Sequence, residues 1–278
     1  MTPTQPTTLA AYVDSLPPAG SFSVWFGPGS GDPYLTHRSD EPHYAASTMK
    51  LALVMAAYRG AAAGSLDLDV PVRVHNSFAS RHDGSVFSID PDEDSDPEPW
   101  RHLGEDVALR WLCYRAIVRS SNLATNLVLD AVGPAAVTTV LDLVGARDST
   151  VTRGIEDTTA REAGLHNVVT AADLARTLQA LRSETVLSAD DSREVLAVLA
   201  AQQINDAIPV RLPPGTVVAH KSGWVEGISH DAGIVHPAVG DGGEPFVFVM
   251  CTTSDLDEQT GLDLIAGAAA AAYTDRRV

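Results

Sequence analysis

Ala45-Ala46-Ser47-Thr48-Met49-Lys50-Leu51-Ala52-Leu53-Val54-Met55 is the stretch on which the reading of this chain turns. Alanine, leucine and methionine dominate it, and all three favour helix. The pattern predicts a helix running to about Ala63. Within it Ser47 and Lys50 stand three apart, a spacing that puts two side chains on one helix face, about 5–6 Å apart at Cβ. A hydroxyl and an amine then point at one spot. A serine becomes a nucleophile only beside a base, and a lysine can be that base when its pKa is lowered. A place near a helix N-terminus also favours developing negative charge. The bland reading of the same residues is a capped, solvated helix start.

Two further segments weigh against the bland reading. Ser120-Ser121-Asn122 falls between an apolar helical stretch, 107–118, and another, 123–132. It offers a hydroxyl and an amide from a loop between helices, although simple N-capping would use the same residue types. Lys221-Ser222-Gly223 follows Thr216-Val217-Val218-Ala219-His220, which reads as a strand leaving a Pro213-Pro214-Gly215 turn. It supplies a cation, a hydroxyl and a residue that permits close backbone approach. An edge-strand lysine beside a strand glycine is the plain alternative.

Three such segments, in this order and each on a suitable element, resemble the serine β-lactamase and penicillin-binding protein superfamily, with its Ser-x-x-Lys, Ser-x-Asn and Lys-[Ser/Thr]-Gly motifs. The class A β-lactamase-like branch is the nearer likeness. It spans roughly Phe22 to Tyr273. The family implies an antiparallel sheet built from both chain ends with flanking helices, an all-helical lobe, and a site in the cleft between them. On that pattern residues of about 20–45 and 205–278 form the α/β lobe and about 46–204 the helical lobe of one catalytic domain.

Composition agrees with an enzyme of this size. The chain has 278 residues, 45% of them hydrophobic, enough for a sizeable core. Its formal net charge is −17, from 36 acidic and 19 basic residues, which disfavours nucleic acid and anionic membrane as partners. No apolar run reaches the roughly 20 residues of a membrane helix. Residues 1–20 hold no Lys or Arg and no sustained apolar block, so no secretory leader is legible and the chain as given reads as cytoplasmic. Relatives of the family usually work outside the cytoplasm, so a shortened secreted form is the other reading. Cys113 and Cys251 read as buried free thiols, no histidine spacing suggests a metal site, and no cofactor is expected. A monomer acting on a small molecule with a carboxylate is the expected form.

Along the chain, Ser21–Phe26 alternates as a strand, with Tyr34–His37 able to pair back on it. Helices are predicted over 107–118, 123–132, 134–144, 171–181 and 189–203, with Pro134 suited to a first turn. Strands follow over 216–221, 231–236 and 245–252, then a helix over 259–272. Residues 90–98 hold six acids and two prolines and read as an exposed, mobile, solvated loop.

The resemblance also implies roles. Ser47 would be the acylated nucleophile and Lys50 its proton acceptor, kept neutral by burial and by Lys221. Ser120 would relay a proton to the leaving amine, and Asn122 would bind the substrate amide or Lys50. Lys221 and Ser222 would hold the substrate carboxylate, and Gly223 would let the strand approach. The N–H groups of Ser47 and Trp224 would form the oxyanion hole. Trp224 departs from the small residue usual there; it would narrow the acyl pocket, stack on substrate, or pack on a loop.

Class A enzymes release the acyl group with a glutamate in a Glu-x-x-Leu-Asn loop. Here Glu156 falls near the right distance after Ser120, but Ala160 stands where the asparagine belongs. Glu162 begins Glu-x-x-Leu, yet His166 replaces the asparagine. Glu156 is the better candidate of the two, a loop with no such glutamate is the other reading, and Asp157 could instead partner Arg153. Three functions stay open: a class A-type hydrolase, a D,D-peptidase, amidase or esterase on the same fold, and a non-catalytic binding or sensor protein.

Overall fold

A computed structural model describes residues 8–276; residues 1–7, part of the stretch read as lacking a leader, lie outside them. In chain order the elements are α1 Leu9–Asp14, β1 Ser21–Pro28, β2 Leu35–His37, β3 His43–Tyr44, a 3₁₀ turn Ala46–Met49, α2 Lys50–Ala62, β4 Pro71–Arg73, β5 Phe78–Ala79 and β6 Val86–Phe87. Then come β7 Asp106–Ala108, α3 Leu109–Val118, α4 Asn122–Val132, α5 Pro134–Val144, α6 Thr158–Glu162, β8 Val168–Val169, α7 Ala171–Arg182 and α8 Ala189–Ala200. The chain closes with β9 Val217–Val225, β10 Ile228–His236, β11 Phe246–Thr253 and α9 Glu258–Asp275.

Five strands form one antiparallel sheet in the order β2-β1-β11-β10-β9, so both chain ends build it, as the sequence predicts. Successive side chains point to opposite faces of a strand, and both faces are buried here. Trp25, Ala219, Ala232, Ile234, Val247, Val249 and Cys251 join the core shared with α2, α3, α4, α7 and α8. Phe22, Val24, Phe26, Val218, Val235, Phe248 and Met250 pack with α1 and α9. Double burial accounts for the apolar residues found on both faces of β1 and β11.

The helix starts follow local chemistry. Ser121 caps α4 through Ala124 N–H, Thr170 caps α7 through Asp173 N–H, and Pro134 occupies the first turn of α5. One long predicted helix is really two pieces: Ser47 lies in the 3₁₀ turn and Lys50 opens α2. The tighter turn keeps the pair aligned, because side chains three apart eclipse in a 3₁₀ helix. Among the described residues no single helix is long and apolar enough to cross a membrane.

Segment 90–98 is only in part the exposed loop its composition suggests: Asp90, Asp92, Glu93 and Pro97 are exposed, while Asp94 and Ser95 are half-buried. Asp96 is fully buried and takes a two-pronged grip from Arg115 of α3: Nε donates to Oδ2 at 2.7 Å and Nη2 donates to Oδ1. Glu98 N–H donates to the same carboxylate at 3.1 Å. A buried carboxylate persists only when paired and hydrogen-bonded, and Asp96 is both. Asp96→Ala, which strands the Arg115 cation, should lower the unfolding free energy by about 3–5 kcal/mol in urea titrations.

Candidate active site

The 3₁₀ turn, the α3–α4 connection, the loop after α5 and strand β9 meet at one cleft of about 1110 Å³. Ser47, Ser120, Asn122, Glu156 and Trp224 all line it. Among the described residues five non-glycine residues have positive φ, and three of them are here: Ala46 at 44°, Ser120 at 56° and Glu156 at 61°. Each such conformation costs on the order of 1–3 kcal/mol and persists only where the surroundings impose it.

Lys50 ties the first two motifs together. Its Nζ donates to the Ser120 carbonyl at 2.7 Å, to Ser120 Oγ at 3.2 Å and to Asn122 Oδ1 at 2.9 Å. The side chain is fully buried. Burial, and next the charge of Lys221, hold its pKa well below the ordinary lysine value, against an opposing pull from Asp94. A neutral amine can keep the two shorter bonds and turn its lone pair to a hydroxyl, which is what a base for Ser47 must do.

Lys221 is likewise fully buried, and its Nζ donates to the Ser222 carbonyl at 2.6 Å. Burial brings its pKa down to about 7, with Asp231 and Asp206 resisting. Ser222 Oγ is buried without a partner, a donor left free for a ligand. Gly223 sets the distance between β9 and the 3₁₀ turn. A Cβ there would lie 2.7 Å from Ser47 N and 2.9 Å from Thr48 N, inside van der Waals contact with backbone.

The loop before α6 carries Glu156 and Asp157. Glu156 Oε2 accepts from Asp90 N–H at 2.8 Å, while Oε1 is buried and unpartnered. Burial raises its pKa, helped by Asp90, Glu93 and Asp94, against the Asp90 hydrogen bond. Ala160 is buried inside α6 and offers no amide to share the work. Asp157 does not partner Arg153. It caps α6 through Ala160 N–H and accepts from Ser80 Oγ and Arg81 N–H. The Arg153 guanidinium is satisfied by uncharged oxygens: Leu165 O, Gly154 O and the Tyr44 hydroxyl.

Two asparagines that the sequence reading passed over hold this loop. Asn126 Oδ1 accepts from Ile155 N–H at 2.8 Å and its Nδ2 donates to Ile155 O at 3.0 Å, fixing the residue before Glu156. Asn167 accepts from Thr152 and Arg153 N–H and donates to Arg153 O and to Met49 Sδ, joining the loop to the 3₁₀ turn that carries Ser47. Asn126 lies four residues beyond Asn122, one turn along α4. That spacing alone carries no signal, since side-chain amides serve many structural ends.

A sheet built from both termini with a Ser-Lys, Ser-Asn and Lys-Ser-Gly cleft beside it defines the serine β-lactamase and penicillin-binding protein class. A family model for the β-lactamase enzyme family matches residues 8–275, and the chain belongs to that family. Among solved structures it is similar to a β-lactamase from Sphaerobacter thermophilus, at 26% identity, 97% coverage of both chains and a TM-score of 0.79. A β-lactamase from Xanthomonas campestris shares the fold at 20% identity, TM-score 0.81, with 98% of this chain and 100% of that one covered. So does a variant of PBP-A solved as an acyl-enzyme with penicillin G, at 20% identity, TM-score 0.78, with 96% and 93% covered.

Gly223→Ala should separate β9 from the nucleophile's turn. Its rate of labelling by a fluorescent penicillin should fall at least about 10²-fold, the scale of a small misplacement of reacting groups. Far-UV circular dichroism should stay unchanged.

Proposed function

We propose that this protein is a serine hydrolase that forms an acyl-enzyme on Ser47 with a β-lactam, or a related amide that bears a carboxylate. The grip of buried Lys50 on Ser120 and Asn122, beside buried Lys221, carries this reading. Ser47 Oγ attacks the amide carbonyl as its proton passes to Lys50 Nζ. The oxyanion collects at the N–H groups of Ser47 and Trp224, the two backbones that Gly223 lets approach. The C–N bond then breaks as Ser120 Oγ gives its proton to the leaving nitrogen and takes one from the Lys50 ammonium, whose Nζ lies 3.2 Å away. Lys221 and Ser222 Oγ hold the carboxylate; Asn122 holds the acyl amide when Lys50 releases it. Trp224 forms a wall of the acyl pocket.

Release is the slower half. Glu156 has a free, buried Oε1 and a raised pKa, both suited to taking a proton from water. Ala160 supplies no second anchor for that water. These two facts favour acylation outrunning hydrolysis, and they keep a D,D-peptidase, amidase or esterase activity as the second reading.

Incubation with penicillin G followed by intact-mass measurement should show one adduct on the wild type and none on Ser47→Ala. An adduct on Ser47→Ala would sink the assignment. Glu156→Gln should acylate normally and release about 10²-fold or more slowly; unchanged release would remove Glu156 from the mechanism.

The pH dependence of acylation should be bell-shaped. Lys50 must be neutral, so activity is lost as pH falls through its lowered pKa. Lys221 must be charged to bind a carboxylate, so activity in the free enzyme declines as pH rises past about 7. A rate flat between about pH 5 and 9 would point to another base.

A further inference from the structure

Five donors converge on one carboxylate behind the second motif. Asp94 Oδ1 accepts from Asn122 N–H at 3.0 Å and from Asp96 N–H at 3.1 Å. Its Oδ2 accepts from Leu123 N–H at 2.9 Å, Trp100 Nε1–H at 3.0 Å and Ser121 Oγ–H at 3.2 Å. Two of these are free N–H groups in the first turn of α4, where a negative charge is favoured. The neighbours of Asp94 reinforce the grip. Asn122 Nδ2 donates to Glu93 O at 3.2 Å, and Ser95 Oγ donates to Arg119 O at 2.7 Å. Arg115 clamps Asp96 from α3. The segment 93–96 therefore splints both helix ends between which Ser120 is held at positive φ.

We propose that Asp94 is the positioning residue of this active site: its carboxylate sets the start of α4, and through Asn122 and Ser120 it sets where Lys50 Nζ lies against Ser47. Asp94 does not touch substrate in this account. It acts on the base in two ways, by geometry through Asn122 and by charge through space. The charged groups that bear on Lys50 are Lys221 from β9 and Asp94 itself, with Glu93 and Glu156 lining the same cleft. Asp94 opposes the other effects on Lys50, so it keeps the lowered lysine from being lowered further. A purely structural cap would leave that ionisation where it is.

The inference rests on Lys50 acting as proposed above, so its test includes a readout independent of β-lactams. In Asp94→Asn the shape is kept, but the negative charge and half of the acceptors are gone. Labelling by fluorescent penicillin should slow about 10²-fold, and the acid limb of its pH profile should move to lower pH. The Lys50 titration, followed by the ¹³Cε signal in ¹³C-lysine-labelled protein, should move the same way. The double variant Asp94→Asn/Ser121→Asp returns a carboxylate to the same cluster, at the capping position whose hydroxyl is 3.2 Å from Asp94. It should recover both the labelling rate and the Lys50 titration. If the single variant does not fold, a folded double variant that labels like wild type supports the proposal, and one that stays inactive overturns it. An unchanged Lys50 titration in folded Asp94→Asn also overturns it. Failure of the wild type to label strikes the acyl-enzyme reading instead, and the titration then decides the role of Asp94 by itself.

Discussion

The structure turns on one buried amine. Lys50 reaches no water, and its three oxygen partners all come from residues 120 and 122. A charged lysine so placed is held up by three acceptors, and a neutral one has a lone pair to offer. Burial sets the balance between the two, and Lys221, buried on the neighbouring strand, tips it toward neutrality. Two buried lysines whose charges repel each other are costly to fold, since a displacement of one pKa unit is worth about 1.4 kcal/mol. That cost is what the proposed base requires, because an ordinary lysine would stay protonated near neutral pH.

The rest of the fold holds those two lysines still. Strand β9 can lie against the nucleophile's turn because residue 223 has no side chain. Its neighbour β10 places Asp231 in the same hydrogen-bonded sheet, where His220 and the Ile208 N–H fix the carboxylate. On the other side the acid-rich segment grips α3 and α4 through Asp96 and Asp94. Strain is admitted where the chain must turn a functional atom inward, at Ala46, Ser120 and Glu156. The surrounding hydrogen bonds over-determine each of those turns.

The loop between α5 and α6 is organised differently from the pattern the family resemblance implies. Asn126 and Asn167 hold its backbone, Asp157 caps α6, and Arg153 is satisfied by carbonyls and a phenol. Glu156 remains in the cleft with one free oxygen. A loop can thus keep a glutamate in the cleft without the asparagine that the family pattern pairs with it.

Sequence alone determined the elements and the order of the chemistry. The Ser47–Lys50 spacing, the Ser120 and Lys221 motifs, Pro134 in the first turn of α5, and the strands at both ends were all legible, because each depends on residues within a few positions of one another. What only the tertiary structure decided depends on distant pairs. The run 90–98 reads as solvent-loving by composition, yet Asp94 and Asp96 are claimed by groups 19 to 29 residues away. Asn126 and Asn167 carry no signal until the loop 152–156 is laid against them. Burial of Lys50 and Lys221 cannot be read from either motif, for the desolvation that lowers a lysine's pKa belongs to the packed cleft and not to the lysine.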